Sequence, residues 1–73
     1  MPEIKIVTEV AGRICATPVQ VGGTVVDGDE IVFVEAMKME IPVPAPASGT
    51  LTSLLVKIDD LVAEGQTIAI VAS

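Results

Sequence analysis

An all-β fold, a small sandwich or barrel, is what this chain predicts, on three observations. Val and Ile supply 20 of its 73 residues, and β-branched side chains suit a pleated surface better than a helix. Turn signals recur at short intervals: Ala11-Gly12, Gly22-Gly23, Asp27-Gly28, Ser48-Gly49, Asp59-Asp60 and Glu64-Gly65. The sequence also repeats. Moved along itself by 37 positions, Ile4 falls on Ile41, Gly12 on Gly49, Val19 on Val56, Val25 on Val62, Gly28 on Gly65, Ile31 on Ile68 and Val34 on Val71. A unit that cannot bury its apolar face alone packs on its twin, so two β halves, 4–36 and 41–73, are expected to share one core in a single domain spanning 1–73.

Taken in order, the β-rich runs between the turn signals are Glu3–Val10, Arg13–Cys15, Val19–Val21, Glu30–Ala36, Met39–Val43, Thr50–Val56 and Thr67–Val71. No window keeps a 3.6-residue apolar period, so helix is not expected. Pro42, Pro44 and Pro46 cannot donate to a ladder, so their strand is expected to lie at a sheet edge or to be irregular, and if their nitrogens face outward they also discourage edge-to-edge association. The segment Ala36-Met37-Lys38-Met39-Glu40 conflicts with its surroundings. It consists of good helix formers, but it is too short to nucleate a helix and is flanked by a strand run and the prolines. It reads as a hairpin tip whose residues answer to something other than local propensity, and such conflicts gather at functional positions. Residues 37–40 lie between the halves and carry one primary amine, that of Lys38, outward.

Composition narrows the function classes. With only one aromatic residue, Phe33, the core must be aliphatic. A net charge of −6 argues against a nucleic-acid binder, which needs a basic face to displace phosphate counterions. The chain has no His, Tyr or Trp and a single Cys15, so it lacks the commonest general base and nucleophile activator. Something other than catalysis by its own side chains is expected. No apolar run approaches a membrane span and no basic-then-apolar leader opens the sequence, so a soluble cytoplasmic protein is expected.

The run Glu35-Ala36-Met37-Lys38-Met39 resembles the Glu-Ala-Met-Lys-Met signature of the biotinyl carrier domain of biotin-dependent carboxylases. Gly22, Asp27-Gly28, Gly49, Val62 and Glu64-Gly65 extend the resemblance over nearly the whole chain. It implies a flattened barrel of two four-stranded antiparallel sheets related by a pseudo-two-fold axis, with the lysine in a tight hairpin turn and both termini at the far end. It also implies that a biotin protein ligase joins biotin to Lys38 as an amide, the amine attacking a biotinyl-adenylate. Glu35, Ala36, Met37 and Met39 would shape the tip that ligase and carboxylase recognise. Biotin would then take CO2 in a biotin carboxylase site and release it in a carboxyltransferase site of an acyl-CoA or pyruvate-type carboxylase, the isolated domain being a monomer. The protein's share is tethering, while the cofactor carries the chemistry.

The chain departs from the family pattern in places. Glu9-Val10-Ala11-Gly12-Arg13 stands where the family has a proline-containing stretch, and Asp59-Asp60 replaces a frequent Gly-Asp turn. Gly12 to Gly28 matches Gly49 to Gly65 in length, so no thumb-like insertion is expected in the first half. Two rival readings share the fold. A lipoyl carrier typically has Asp before its lysine and Ala after it, whereas Met flanks Lys38 on both sides. An unmodified structural adaptor accounts for the repeat but not for the Met-Lys-Met tip.

Overall fold

The computed structural model describes residues 2–73 and contains eight strands. These are β1 (Glu3–Val7), β2 (Gly12–Ala16), β3 (Thr24–Val25), β4 (Glu30–Ala36), β5 (Met39–Pro44), β6 (Gly49–Leu54), β7 (Leu61–Val62) and β8 (Thr67–Ala72). They form two antiparallel four-stranded sheets, one in the order β1-β8-β6-β3 and the other β5-β4-β2-β7. A shift of 37 residues carries β1 to β5, β2 to β6, β3 to β7 and β4 to β8, and so turns one sheet order into the other. The fold is a two-sheet flattened barrel with pseudo-two-fold symmetry, as the resemblance implied.

The symmetry reaches individual hydrogen bonds. Gly22 N–H donates to the Leu51 carbonyl (2.7 Å) while its counterpart Asp59 N–H donates to Ile14 (2.8 Å). Gly28 N–H donates to Ala45 (2.9 Å) and Gly65 N–H to Thr8 (2.7 Å). These bonds cross from one half to the other, so neither half completes its backbone pairing alone. Gly22 and Asp59 both hold left-handed backbone, φ 93° and 78°. Asp is one of the few non-glycine residues that visit this region readily, and the second-half turn survives on that tolerance.

The core is built of twinned aliphatic residues: Ile14 with Leu51, Ile31 with Ile68 and Val34 with Val71, all fully buried, and Val25 with Val62 and Ile6 with Val43 nearly so. Each buried side chain of this size contributes about 1.5–3 kcal/mol. Thr8, the buried polar residue of the described chain, donates its hydroxyl to the Val10 carbonyl and accepts from the Val10 N–H.

Several expected boundaries move. The first strand ends at Val7 rather than Val10, because the register shifts after Ile6 and Thr8 bonds instead across to Gln66. Val19–Val21 forms no strand; the chain is already turning toward Gly22-Gly23, and Gly23 N–H closes back on Gln20. The sixth strand stops at Leu54, not Val56. Gly12 and Gly49 open strands instead of forming turns. A Cβ at Gly12 would overlap the Glu35 carbonyl, and one at Gly49 the Ala72 carbonyl, so glycine here permits close strand approach. The proline-bearing strand β5 lies at a sheet edge with Pro42 and Pro44 exposed, as expected.

Candidate functional site

The site is the β4–β5 hairpin. Phe33 pairs with Pro42, Val34 with Ile41, Glu35 with Glu40 and Ala36 with Met39, which leaves Met37-Lys38 as a two-residue loop. Both loop residues are left-handed, φ 54° and 64°. That is the type I′ geometry whose twist matches a right-twisted hairpin, and it ordinarily calls for Asn-Gly. Met and Lys have no such tolerance, and left-handed backbone costs about 1–2 kcal/mol per ordinary residue. The conformation persists because the paired strands on either side over-determine it, a form of strain that collects at functional sites.

The strain puts the tip residues in solvent. Lys38 is exposed, Met37 is 94% exposed and Met39 64%. A methionine beside a strand end is most often core filler, and neither plays that part here. Ala36 and Glu35 are half-buried at the end of β4, and Glu40 is exposed at the start of β5. The hairpin register therefore brings Glu35, Ala36, Met37, Lys38 and Met39 together at one end of the second sheet. Among the described residues both ion pairs belong to Arg13, and neither engages Lys38. An amine on a four-carbon stem, in solvent and free of a carboxylate, suits covalent attachment of a carboxylic-acid cofactor.

Arg13 was not among the residues the sequence singled out. Its Nη2 donates to Glu35 Oε1 (2.5 Å) and its Nη1 to Asp59 Oδ1 (2.6 Å). Glu35 is thus tied within the protein and is not the freely solvated charge expected of a residue near a hairpin end. The hydrogen bond Arg13 donates to Glu35, then that to Asp59, hold the guanidinium above the ordinary arginine range. The three residues are 22 and 46 positions apart, beyond any local motif. The signal available was a mismatch in the repeat: Arg13, Glu35 and Asp59 fall opposite Thr50, Ala72 and Gly22.

Comparison with known proteins agrees with this geometry. The family model described as "Biotin-requiring enzyme" matches residues 1–71. The urea amidolyase of Lachancea kluyveri is 41% identical over 64 residues, which are 88% of this chain and 4% of that protein. The biotinylated protein TB7.3 homolog of Mycobacterium leprae is 33% identical over 64 residues, covering 88% of this chain and 90% of that one. The crystal structure of Kluyveromyces lactis urea carboxylase superposes with a TM-score of 0.93 at 32% identity, over 99% of this chain and 6% of the other. The chain thus spans a small fraction of the long proteins it matches and most of the small one. On the strength of a match across nearly its whole length, this chain belongs to the biotin-requiring enzyme family, as a biotinyl carrier domain.

Proposed function

We propose that Lys38 is the residue to which biotin is joined, by a biotin protein ligase, and that the loaded domain serves as the mobile carrier between the biotin carboxylase and carboxyltransferase sites of a biotin-dependent carboxylase. The observation that carries this reading is the free amine of Lys38 at the apex of a strained two-residue turn, flanked by two exposed methionines. Biotin, when bound, supplies the ureido nitrogen on which CO2 travels. Everything else the chain does is positional.

Lys38 Nζ must shed a proton before it can attack an acyl-adenylate. No carboxylate of this chain pairs with it, so the base and the desolvating surroundings belong to the ligase. Amide formation expels AMP, removes the charge and leaves a long flexible arm on a rigid mount. The β4–β5 ladder fixes where the arm starts, while the lysine stem and cofactor supply the reach. Tethering of this kind presents a group at an effective concentration near ~mM, whatever its bulk supply. Met37 and Met39 offer apolar area to be buried when a partner closes over the tip. Relatives act on urea by name or belong to an acyl-coenzyme A carboxylase subunit. The acceptor, whether acyl-CoA, pyruvate or urea, is chosen by the carboxyltransferase and not by this chain.

The test is intact mass after incubation with biotin ligase, biotin and ATP. The expected product is one biotin heavier, and Lys38→Arg gains nothing. Label on Lys5 or Lys57 would refute the assignment. Efficient loading by a lipoate ligase, with little by biotin ligase, would replace the reading with the lipoyl one.

A further inference from the structure

We propose that Arg13 is a positioning residue for the lysine hairpin. Its forked guanidinium clamps the end of β4 to the turn at 57–60, and so sets the affinity with which a modifying enzyme takes the tip. Three observations converge. Arg13 lies directly opposite Glu35 in the β2–β4 register and opposite Leu61 in the β2–β7 register, so it stands between the strand that ends at the tip and the strand that follows the turn. It uses both terminal nitrogens, on Glu35 from one side and Asp59 from the other. And Gly12 beside it lets β2 approach the Glu35 carbonyl closely, so backbone and side chain of Glu35 are held from the same neighbour.

The repeat provides an internal control. The close approach at Gly12 recurs at Gly49, against Ala72, and so belongs to the fold. The charged fork does not recur: its three counterparts are Thr50, Ala72 and Gly22. The first sheet closes without it. Among the described residues the fork is found only in the sheet that carries Lys38, three residues beyond Glu35. Without the cation, Glu35 and Asp59 would face each other as like charges, pushing β4 and the turn apart at the base of the strained tip. A single guanidinium suits the task because its planar fork satisfies two carboxylates at once, which a lysine ammonium does with less geometric control.

The reading of Lys38 as the modified residue enters one arm of the test only. Hydrogen exchange by NMR compares wild type with Arg13→Gln, Arg13→Lys and Thr50→Gln, the last being the same change in the twin position. Arg13→Gln is expected to lower protection at the Glu35, Ala36 and Met39 amides by about fivefold while the β8 amides hold. Arg13→Lys should fall between, and Thr50→Gln should leave the tip unchanged. In the second arm, Arg13→Gln raises the ligase KM for the carrier by about fivefold with kcat little altered, because the removed interaction shapes the tip and not the reacting amine. Equal loss of protection throughout both sheets would overturn the proposal in favour of a general structural role, as would unchanged exchange at the tip. Should wild type take no biotin, the proposed function falls, while the exchange arm still decides the role of Arg13.

Discussion

Replacing Met37-Lys38 by Asn-Gly should make the protein more stable while abolishing its proposed use. Both native residues are left-handed, at φ 54° and 64°, and Met37 is 94% exposed, so the exchange forfeits almost no packing. Asn tolerates this backbone region, so Met37→Asn recovers about 1 kcal/mol of the 1–2 kcal/mol that an ordinary residue loses there. Lys38→Gly recovers a similar amount, but glycine gains conformational freedom in the unfolded chain that offsets about 0.5–1 kcal/mol of it. The pair should therefore add about 1–1.5 kcal/mol. For a domain of this size each 1 kcal/mol moves Tm by roughly 4–8 °C, so the double variant should melt roughly 4–12 °C higher. Circular dichroism melts with matched urea titrations provide the assay, and Met37→Asn alone, which keeps the amine, isolates the first step. An unchanged or lowered Tm would show that the tip is not strained, and the case for a turn held against its own propensity would go with it.

Core and backbone changes should follow the symmetry. Leu51→Ala, at a fully buried position, should cost about 2–5 kcal/mol, and Ile14→Val at its twin about 0.5–1.5 kcal/mol, both read by urea denaturation. Gly12→Ala and Gly49→Ala should each destabilise by about 1–3 kcal/mol, since a methyl at either meets the neighbouring strand's backbone and forces a shift. Asp59→Gly should act in opposite directions at once, raising Tm by relieving a φ of 78° while loosening the tip amides by removing one arm of the Arg13 fork. The folded-state titration of Arg13 is raised, so its contribution is complete below the ordinary arginine range and is lost only above it. Melts across neutral pH should accordingly show no step from Arg13, whereas added salt should reduce tip protection by screening the exposed fork.

The chain declares some of this architecture and conceals the rest for physical reasons. Glu30–Ala36 was legible to the residue because Ile31, Val32, Phe33 and Val34, β-branched and aromatic, form an apolar run bounded by Asp27-Gly28 and by the tip. The edge position of β5 followed from its prolines. The two-residue strands β3 and β7 were not legible. Each makes only two cross-strand pairs, Thr24 with Thr50 and Val25 with Gly49, Val62 with Gly12 and Leu61 with Arg13, and a strand that short is defined by its neighbours and not by its own sequence. Val19–Val21 misled in the converse way, since three residues of strand composition spend themselves reaching the Gly22-Gly23 turn. At the site, the exposed lysine could be read from its place between the halves, but the fork on Glu35 could not, because ion pairing over such separations is a property of sheet register.

That register also explains why the amine is offered by this hairpin and from this edge. In the first sheet the strands equivalent to β4 and β5 are β8 and β1, and there the place of the tip is taken by Pro2 and Ser73, whose N–H donates to the Pro2 carbonyl. One symmetric frame therefore offers two like places and closes only one with a turn. The strand leading away from that turn is an edge, and an open edge beside an exposed apolar tip invites a foreign strand to pair. Pro42 and Pro44 answer the hazard by withholding N–H groups along β5, while leaving the tip itself uncovered. Stiffness in the mount and openness around it are both required of a carrier. A loose hairpin would spread the arm's starting point, and a paired edge would block its approach to a second protein.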